Sequence, residues 1–161
     1  MKYNDGFECD KYAKNVAKQL VNYWFSAFTV AINEENEADE FAPVDLIFTA
    51  FTKSGKEIVY AIEIKHRMGY KHNDFDEWMI ERHKYNTLSD YKKKGYRVLY
   101  FNLFKDGYYY LWDYDTIKNK HKDAVKNLTH HTQGEDEESE LKVVYLIKAE
   151  DCIISGNTGY C

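Results

Sequence analysis

The sequence predicts one α/β domain, a central mixed β-sheet flanked by helices. Two observations lead there. Segments of helical apolar period alternate with β-rich runs, in the order helix, three strands, helix, two strands. The chain also carries the apolar material for a core of its own. Of its 161 residues, 44% are hydrophobic and 17% aromatic, and a domain of this size buries roughly two-thirds of the surface its unfolded chain exposes. No internal repeat and no Pro- or Ser-rich linker divides it. Residues 1–161 therefore read as a single domain, with a core over about 6–112 and a smaller mixed extension over 113–161.

The elements follow in order. Asp5 and Glu8 stand three apart in a capping-box pattern, and Tyr12, Val16, Leu20, Tyr23 and Trp24 recur at helical spacing, which predicts a helix over 6–25. Residues 28–33 are a short β-rich run. Residues 34–40 hold five acids in seven and read as a solvated loop. Pro43, tolerated at the start of a strand, introduces a β-rich run over 45–52. A Lys-Ser-Gly-Lys turn leads into a further run over 58–65, so the two strands form an antiparallel hairpin. Asn73 or Asp74 caps a long helix that runs to 94, where Lys92, Lys93, Lys94 and then Gly95 supply stop chemistry. Strands over 97–104 and 108–112 flank an Asp106-Gly107 hairpin turn. A weakly patterned helix over 115–128, a second acidic loop over 135–140 and a late strand over 141–147 complete the chain.

Composition excludes several function classes. An aromatic-rich chain with one proline is neither disordered nor collagen-like. Three cysteines, Cys9, Cys152 and Cys161, offer no C-x-x-C pair, which argues against a zinc knuckle and for reduced thiols in a cytoplasmic protein. No signal peptide and no membrane span is read from the pattern, so no membrane partner is expected. The net charge of −5 excludes a protein that coats nucleic acid non-specifically.

Chemistry is carried by acids placed where core strands should not have them. Asp45 begins one hairpin strand; Glu63 sits inside the other among Tyr60, Ala61, Ile62 and Ile64, with Lys65 two residues on. Strand side chains alternate, so Glu63 and Lys65 share a face while Ile62 and Ile64 take the other. Antiparallel pairing can bring Asp45 beside Glu63, and two adjacent carboxylates call for a neutralising cation. Oxygen ligands, open water positions and a nearby ammonium describe a magnesium site acting on a phosphate ester. A Glu-x-Lys triplet alone carries little weight, since a second occurs at Glu140-Leu141-Lys142; the joint pattern carries the signal.

Pro43-Val44-Asp45, followed by Glu63-Ile64-Lys65, resembles the signature of the PD-(D/E)xK nucleases, the restriction-endonuclease-like superfamily. The resemblance covers roughly residues 6–112 and implies a restriction-endonuclease-like core in the order αβββαββ. One residue, Val44, separates the proline from the aspartate, which leaves Pro43 as a packing residue. The resemblance further implies a metal-dependent nuclease, with DNA the expected nucleic acid. Asp45 and Glu63, with the Ile64 backbone carbonyl, would hold Mg2+ (Mn2+ able to substitute), and Lys65 would orient the attacking water. Because some family members add a carboxylate from the first helix, Glu8 is a further candidate ligand. A homodimer is one arrangement the family uses.

Outer candidates are fewer. Trp78, Glu81, Tyr85 and Leu88 fall on one stripe of the predicted long helix, with Lys84 at its edge. Glu81 is thus a candidate outer-shell ligand and Lys84 a candidate phosphate contact. Arg67 and His72 are candidate substrate contacts, whereas His66 points away from Lys65 and His130-His131 lack a third ligand at metal spacing. Residues 53–105 contain 12 Lys and Arg against 7 Asp and Glu, so basic charge concentrates around the proposed site despite the acidic total. The alternative functions are a non-catalytic binding module that keeps the fold and an enzyme acting on phosphorylated small molecules. Calorimetry with Mg2+ discriminates the first, and competition by DNA the second.

Overall fold

The computed structural model describes residues 3–33, 43–129 and 139–159, with the side chains of 3–7, 129 and 139 left aside. Helix α1 (Tyr3–Trp24) leads into β1 (Thr29–Ile32), β2 (Leu46–Phe51) and β3 (Glu57–Arg67). Then come β4 (Glu77–Glu81), α2 (Arg82–Lys93), β5 (Arg97–Phe104) and β6 (Tyr108–Asp113). Helix α3 (Tyr114–Lys120), β7 (Lys122–Thr129), β8 (Ser139–Lys148), a 3-10 turn (Ala149–Asp151) and β9 (Ile154–Asn157) complete it.

The main sheet has six strands in the order β1-β2-β3-β5-β6-β9, and a second sheet runs β4-β8-β7. The sheet is mixed because β3 and β5 pair in parallel while every other neighbouring pair is antiparallel. Parallel neighbours need a crossover, and here it is β4 plus α2. The fold class is therefore the mixed α/β arrangement expected, with the αβββαββ order present and β4 inserted ahead of the second helix.

Strand alternation divides the core into two layers. On one face, Phe48, Ile62, Phe101 and Leu111 pack beneath α1 with Ala13, Val16, Ala17 and Val21. On the other, Ile47, Ala61, Tyr100 and Trp112 pack with Leu88 of α2, Tyr114 and Ile117 of α3, and Trp78, Ile80 and Ile147 of the second sheet. The Trp112 indole donates to the Lys148 carbonyl at 2.9 Å, tying β6 to the end of β8.

Several expectations need correction. The helix expected from 73 or 74 to 94 begins only at Arg82, and its first turns are instead strand β4, which pairs along β8 from Glu77–Lys148 to Glu81–Val144. The helix expected over 115–128 divides into α3 and strand β7. Helix α1 starts at Tyr3, so the Asp5–Glu8 capping box lies inside the helix rather than at its entrance. Its buried stripe is Ala13, Val16, Ala17 and Val21, while Tyr12 and Tyr23 are 41% and 74% exposed; small alanines let the helix backbone approach the sheet, which large tyrosines would prevent. Pro43 is exposed and the buried neighbour is Val44, so Pro43 does not pack. The acidic run at 34–40, most of the run at 135–140, His130, His131 and Cys161 lie outside the described residues. The stop signals fit: Gly95 (φ 94°) closes α2 with its N–H on the Lys92 carbonyl, and Gly107 (φ 79°) turns the β5–β6 hairpin.

Candidate active site

Asp45 immediately precedes β2, and the β2–β3 register begins at Leu46 opposite Ile62. One step earlier in that register, Asp45 stands opposite Glu63. Its Oδ2 accepts the Ile64 N–H at 2.7 Å, so the side chain continues the ladder where the backbone of β2 has ended. In a β-strand the N–H and C=O of one residue leave by the same edge. The Ile64 carbonyl therefore faces the Asp45 edge of β3.

Glu63, Arg67 and Asn102 are the three buried polar or charged residues among those described. They lie on adjacent strands, with Glu63 beside Tyr100 and Lys65 beside Asn102. The Glu63 side chain is 7% exposed, and the Lys84 ammonium reaches its Oε1 at 2.7 Å from the first turn of α2. The other oxygen, Oε2, is buried and has no hydrogen-bond partner among the described residues. Desolvation, reinforced by the Asp45 charge, pushes the Glu63 carboxyl up to about 7 despite Lys84 and Lys65. Burial pulls Lys84 down, yet Glu63 and Asp45 outweigh it and hold its ammonium above the ordinary value.

The first helix contributes an acid that sequence reasoning missed. Asp10 feels Lys65, Asp45 and His66 as charged neighbours, and partial desolvation of its carboxyl raises its pKa although the residue as a whole is exposed. The signal lies in its position: Asp10 is three residues before Ala13, in line with the buried stripe of α1 at its exposed end. Glu8 is exposed and sits about 200° around the helix from Asp10. Lys65 is exposed on the Glu63 face of β3. His66 points the other way, toward α1, where its Nδ1 donates to the Cys9 carbonyl at 3.0 Å.

The remaining candidates sit elsewhere. Arg67 is 7% exposed: Nε donates to Asn102 Oδ1 at 2.7 Å, and Nη2 to the Met79 carbonyl at 2.6 Å and to the Tyr100 hydroxyl at 3.2 Å. It holds strands together and also lines the groove beyond the end of β3. Glu81 ends β4, and its ion pairs are with His83 (3.4 Å) and Lys142 (3.5 Å). His72 is fixed at the β5–β6 turn by Asp106 (2.7 Å) and stacks on Tyr108 at 3.8 Å between ring centroids. The second Glu-x-Lys triplet lies on β8 with Leu141 72% exposed, so it holds no buried carboxylate. A groove of about 1000 Å³ opens beyond the Arg67 end of β3, lined in part by Tyr70, Phe75 and Trp78, and includes none of Asp45, Glu63 and Lys65.

No family model matches the chain, and no curated protein does. Among solved structures it is similar to a Holliday junction resolvase from the archaeal hyperthermophile Archaeoglobus fulgidus, at 10% sequence identity and a TM-score of 0.43, over 88% of this chain and 87% of that chain. No described helix is long and apolar enough to cross a membrane.

Proposed function

We propose that the protein is a metal-dependent nuclease that hydrolyses phosphodiester bonds of nucleic acid, with DNA as the polymer cut. One observation carries this reading: a buried carboxylate, Glu63, has one oxygen on an ammonium and the other without a partner among the described residues, opposite a second carboxylate. A buried unpaired anionic oxygen is costly, and a divalent cation at Oε2 removes the cost and the Asp45–Glu63 repulsion together. The donor set fits Mg2+ or Mn2+, which take hard oxygen ligands and keep several waters. Among the described residues no three His, Cys, Asp or Glu side chains gather as a metal-holding group; a site of two carboxylates and the Ile64 carbonyl would leave positions for water and substrate.

Asp45 and Glu63 would hold the cation, with Asp10 the carboxylate nearest them from α1. When bound, the cation supplies Lewis acidity toward a phosphoryl oxygen and a more acidic water. Lys65 is exposed on the Glu63 face; it would orient the attacking water and stabilise negative charge developing on the phosphate.

With Mg2+ or Mn2+ the full-length protein is expected to nick or degrade DNA. Asp45→Asn and Lys65→Ala each lower the rate by about 100-fold or more. Equal cleavage by wild type and both variants would overturn the proposal.

A further inference from the structure

We propose that Lys84 is a positioning residue that sets which cation the site accepts, by leaving Glu63 a single free oxygen; this rests on the reading of Asp45 and Glu63 as the metal-holding pair. Lys84 Nζ is 2.7 Å from Glu63 Oε1, and Oε2 alone of the two oxygens is without a partner among the described residues. The lysine is held from behind. It belongs to the first turn of α2, whose Leu88 is fully buried and whose start is set by the pairing of β4 with β8.

Two of the neighbouring donors are already engaged. The Tyr100 hydroxyl, across the β3–β5 register from Glu63, donates to the Met79 carbonyl at 3.3 Å and accepts from Arg67. Arg67 is committed to Asn102 and Met79. Among the described residues it is Lys84 that reaches Glu63 Oε1.

The chemical consequence differs between cations. Mg2+ and the similar Mn2+ favour an octahedral shell and are served by one oxygen from each carboxylate, whereas Ca2+ takes six to eight oxygens and readily uses a carboxylate through both. A Glu63 tied through Oε1 can serve the first kind without disturbance. Two-oxygen binding of Ca2+ has to share Oε1 with the Lys84 ammonium, which weakens a half-buried ion pair and sets two positive charges against one oxygen. Lys84 therefore discriminates against the larger cation. Its positive charge also repels every divalent cation, but that effect is common to all and cancels in a ratio of affinities.

The experiment is calorimetric titration of Mn2+ and of Ca2+ into the full chain, as wild type, Lys84→Met, Lys84→Arg and Asp45→Asn. Wild type is expected to prefer Mn2+, with binding lost in Asp45→Asn. Lys84→Met lowers the Mn2+ to Ca2+ affinity ratio by about tenfold or more, the scale of an orienting partner of a metal ligand, chiefly through tighter Ca2+ binding. Lys84→Arg keeps a donor on Oε1 and keeps the preference. Lys84→Ala is the second variant if Lys84→Met does not fold, with the same expectation. An unchanged ratio in a folded Lys84→Met or Lys84→Ala that still binds Mn2+ overturns this inference and leaves the metal-site reading standing. Absence of Asp45-dependent Mn2+ binding in wild type overturns both.

Discussion

Glu63 shows how much a single side chain can be made to carry. Its folded pKa, about 7, lies above the 4.5 of an unperturbed glutamate, so the folded state holds the proton more tightly than the unfolded chain does. The stability linked to that proton is full below about pH 4.5 and is lost as pH rises through about 7. Glu63→Gln resembles the protonated form at every pH and can still accept from Lys84. In cation-free protein it should therefore raise the melting temperature at pH 8, by the equivalent of up to about 3 kcal/mol at roughly 1.4 per pK unit, and change little at pH 4.5. Melting curves of the two proteins that run parallel across this range would contradict the assignment. The same proton competes with a cation, so cation affinity should climb over the same interval.

At the scale of elements, the buried cation of β3 is a fastening between strands. Arg67 binds Asn102 and Tyr100 of β5 and the backbone of β4, which joins the two sheets where the crossover begins. Arg67→Met removes the donors and leaves buried acceptors behind, so it should cost about 2 kcal/mol or more, read as a lower urea midpoint with an unchanged slope. Its cation binding should persist in whatever fraction folds. A variant with wild-type stability but weakened DNA binding would restore the substrate-contact role.

Helix α1, the β2–β3 hairpin, β5 and β6 were legible because their periods are long and their stops explicit. Strand β4 was not: five residues of alternation, with Trp78 and Ile80 buried, abut a helix with no break. The spacing of Trp78, Glu81, Tyr85 and Leu88 then imitates one continuous helical stripe. Strand β7 was hidden for a different reason. It is an edge strand with Val125 62% exposed, so burial left little pattern in its sequence. In the site, Asp45, Glu63 and Lys65 could be singled out because charge inside apolar strands is conspicuous. The Lys84 contact depends on how α2 lies over the sheet, and Asp10 was obscured by tyrosines that suggested the wrong face of α1.

For the molecule as a whole, the C-terminal third is part of the same body as the core. Strand β9 completes the main sheet beside β6, β8 is the partner of β4, and Tyr114, Ile117, Val144 and Ile147 are buried. A chain ended at Trp112 would expose that layer and leave β4 unpaired. It should therefore lack a cooperative thermal transition, as checked by circular dichroism; a two-state melt in the shortened chain would show the core to be autonomous. Charge is also less focused than the count over 53–105 suggests. Lys92 to Lys94 stand about 12 Å or more along α2 from Lys84 at ~1.5 Å per residue, Lys92 is paired with Asp115 at 2.7 Å, and Arg67 is buried. Lys65 and Lys84 remain the cations that meet Asp45 and Glu63.

The parallel pairing of β3 with β5 has a consequence for the order in which a nascent chain acquires its chemistry. During synthesis the hairpin bearing Asp45, Glu63 and Lys65 emerges first. Phe104, the end of β5, follows Arg67 by 37 residues, about 2 to 7 s at typical translation rates. Until then Glu63 is solvated and titrates as an ordinary glutamate, with neither Tyr100 beside it nor α2 packed above it. The environment of Glu63 is therefore created after the hairpin itself, once the crossover closes over the sheet and β4 finds β8, and a partly made chain holds the residues of the site without its electrostatics.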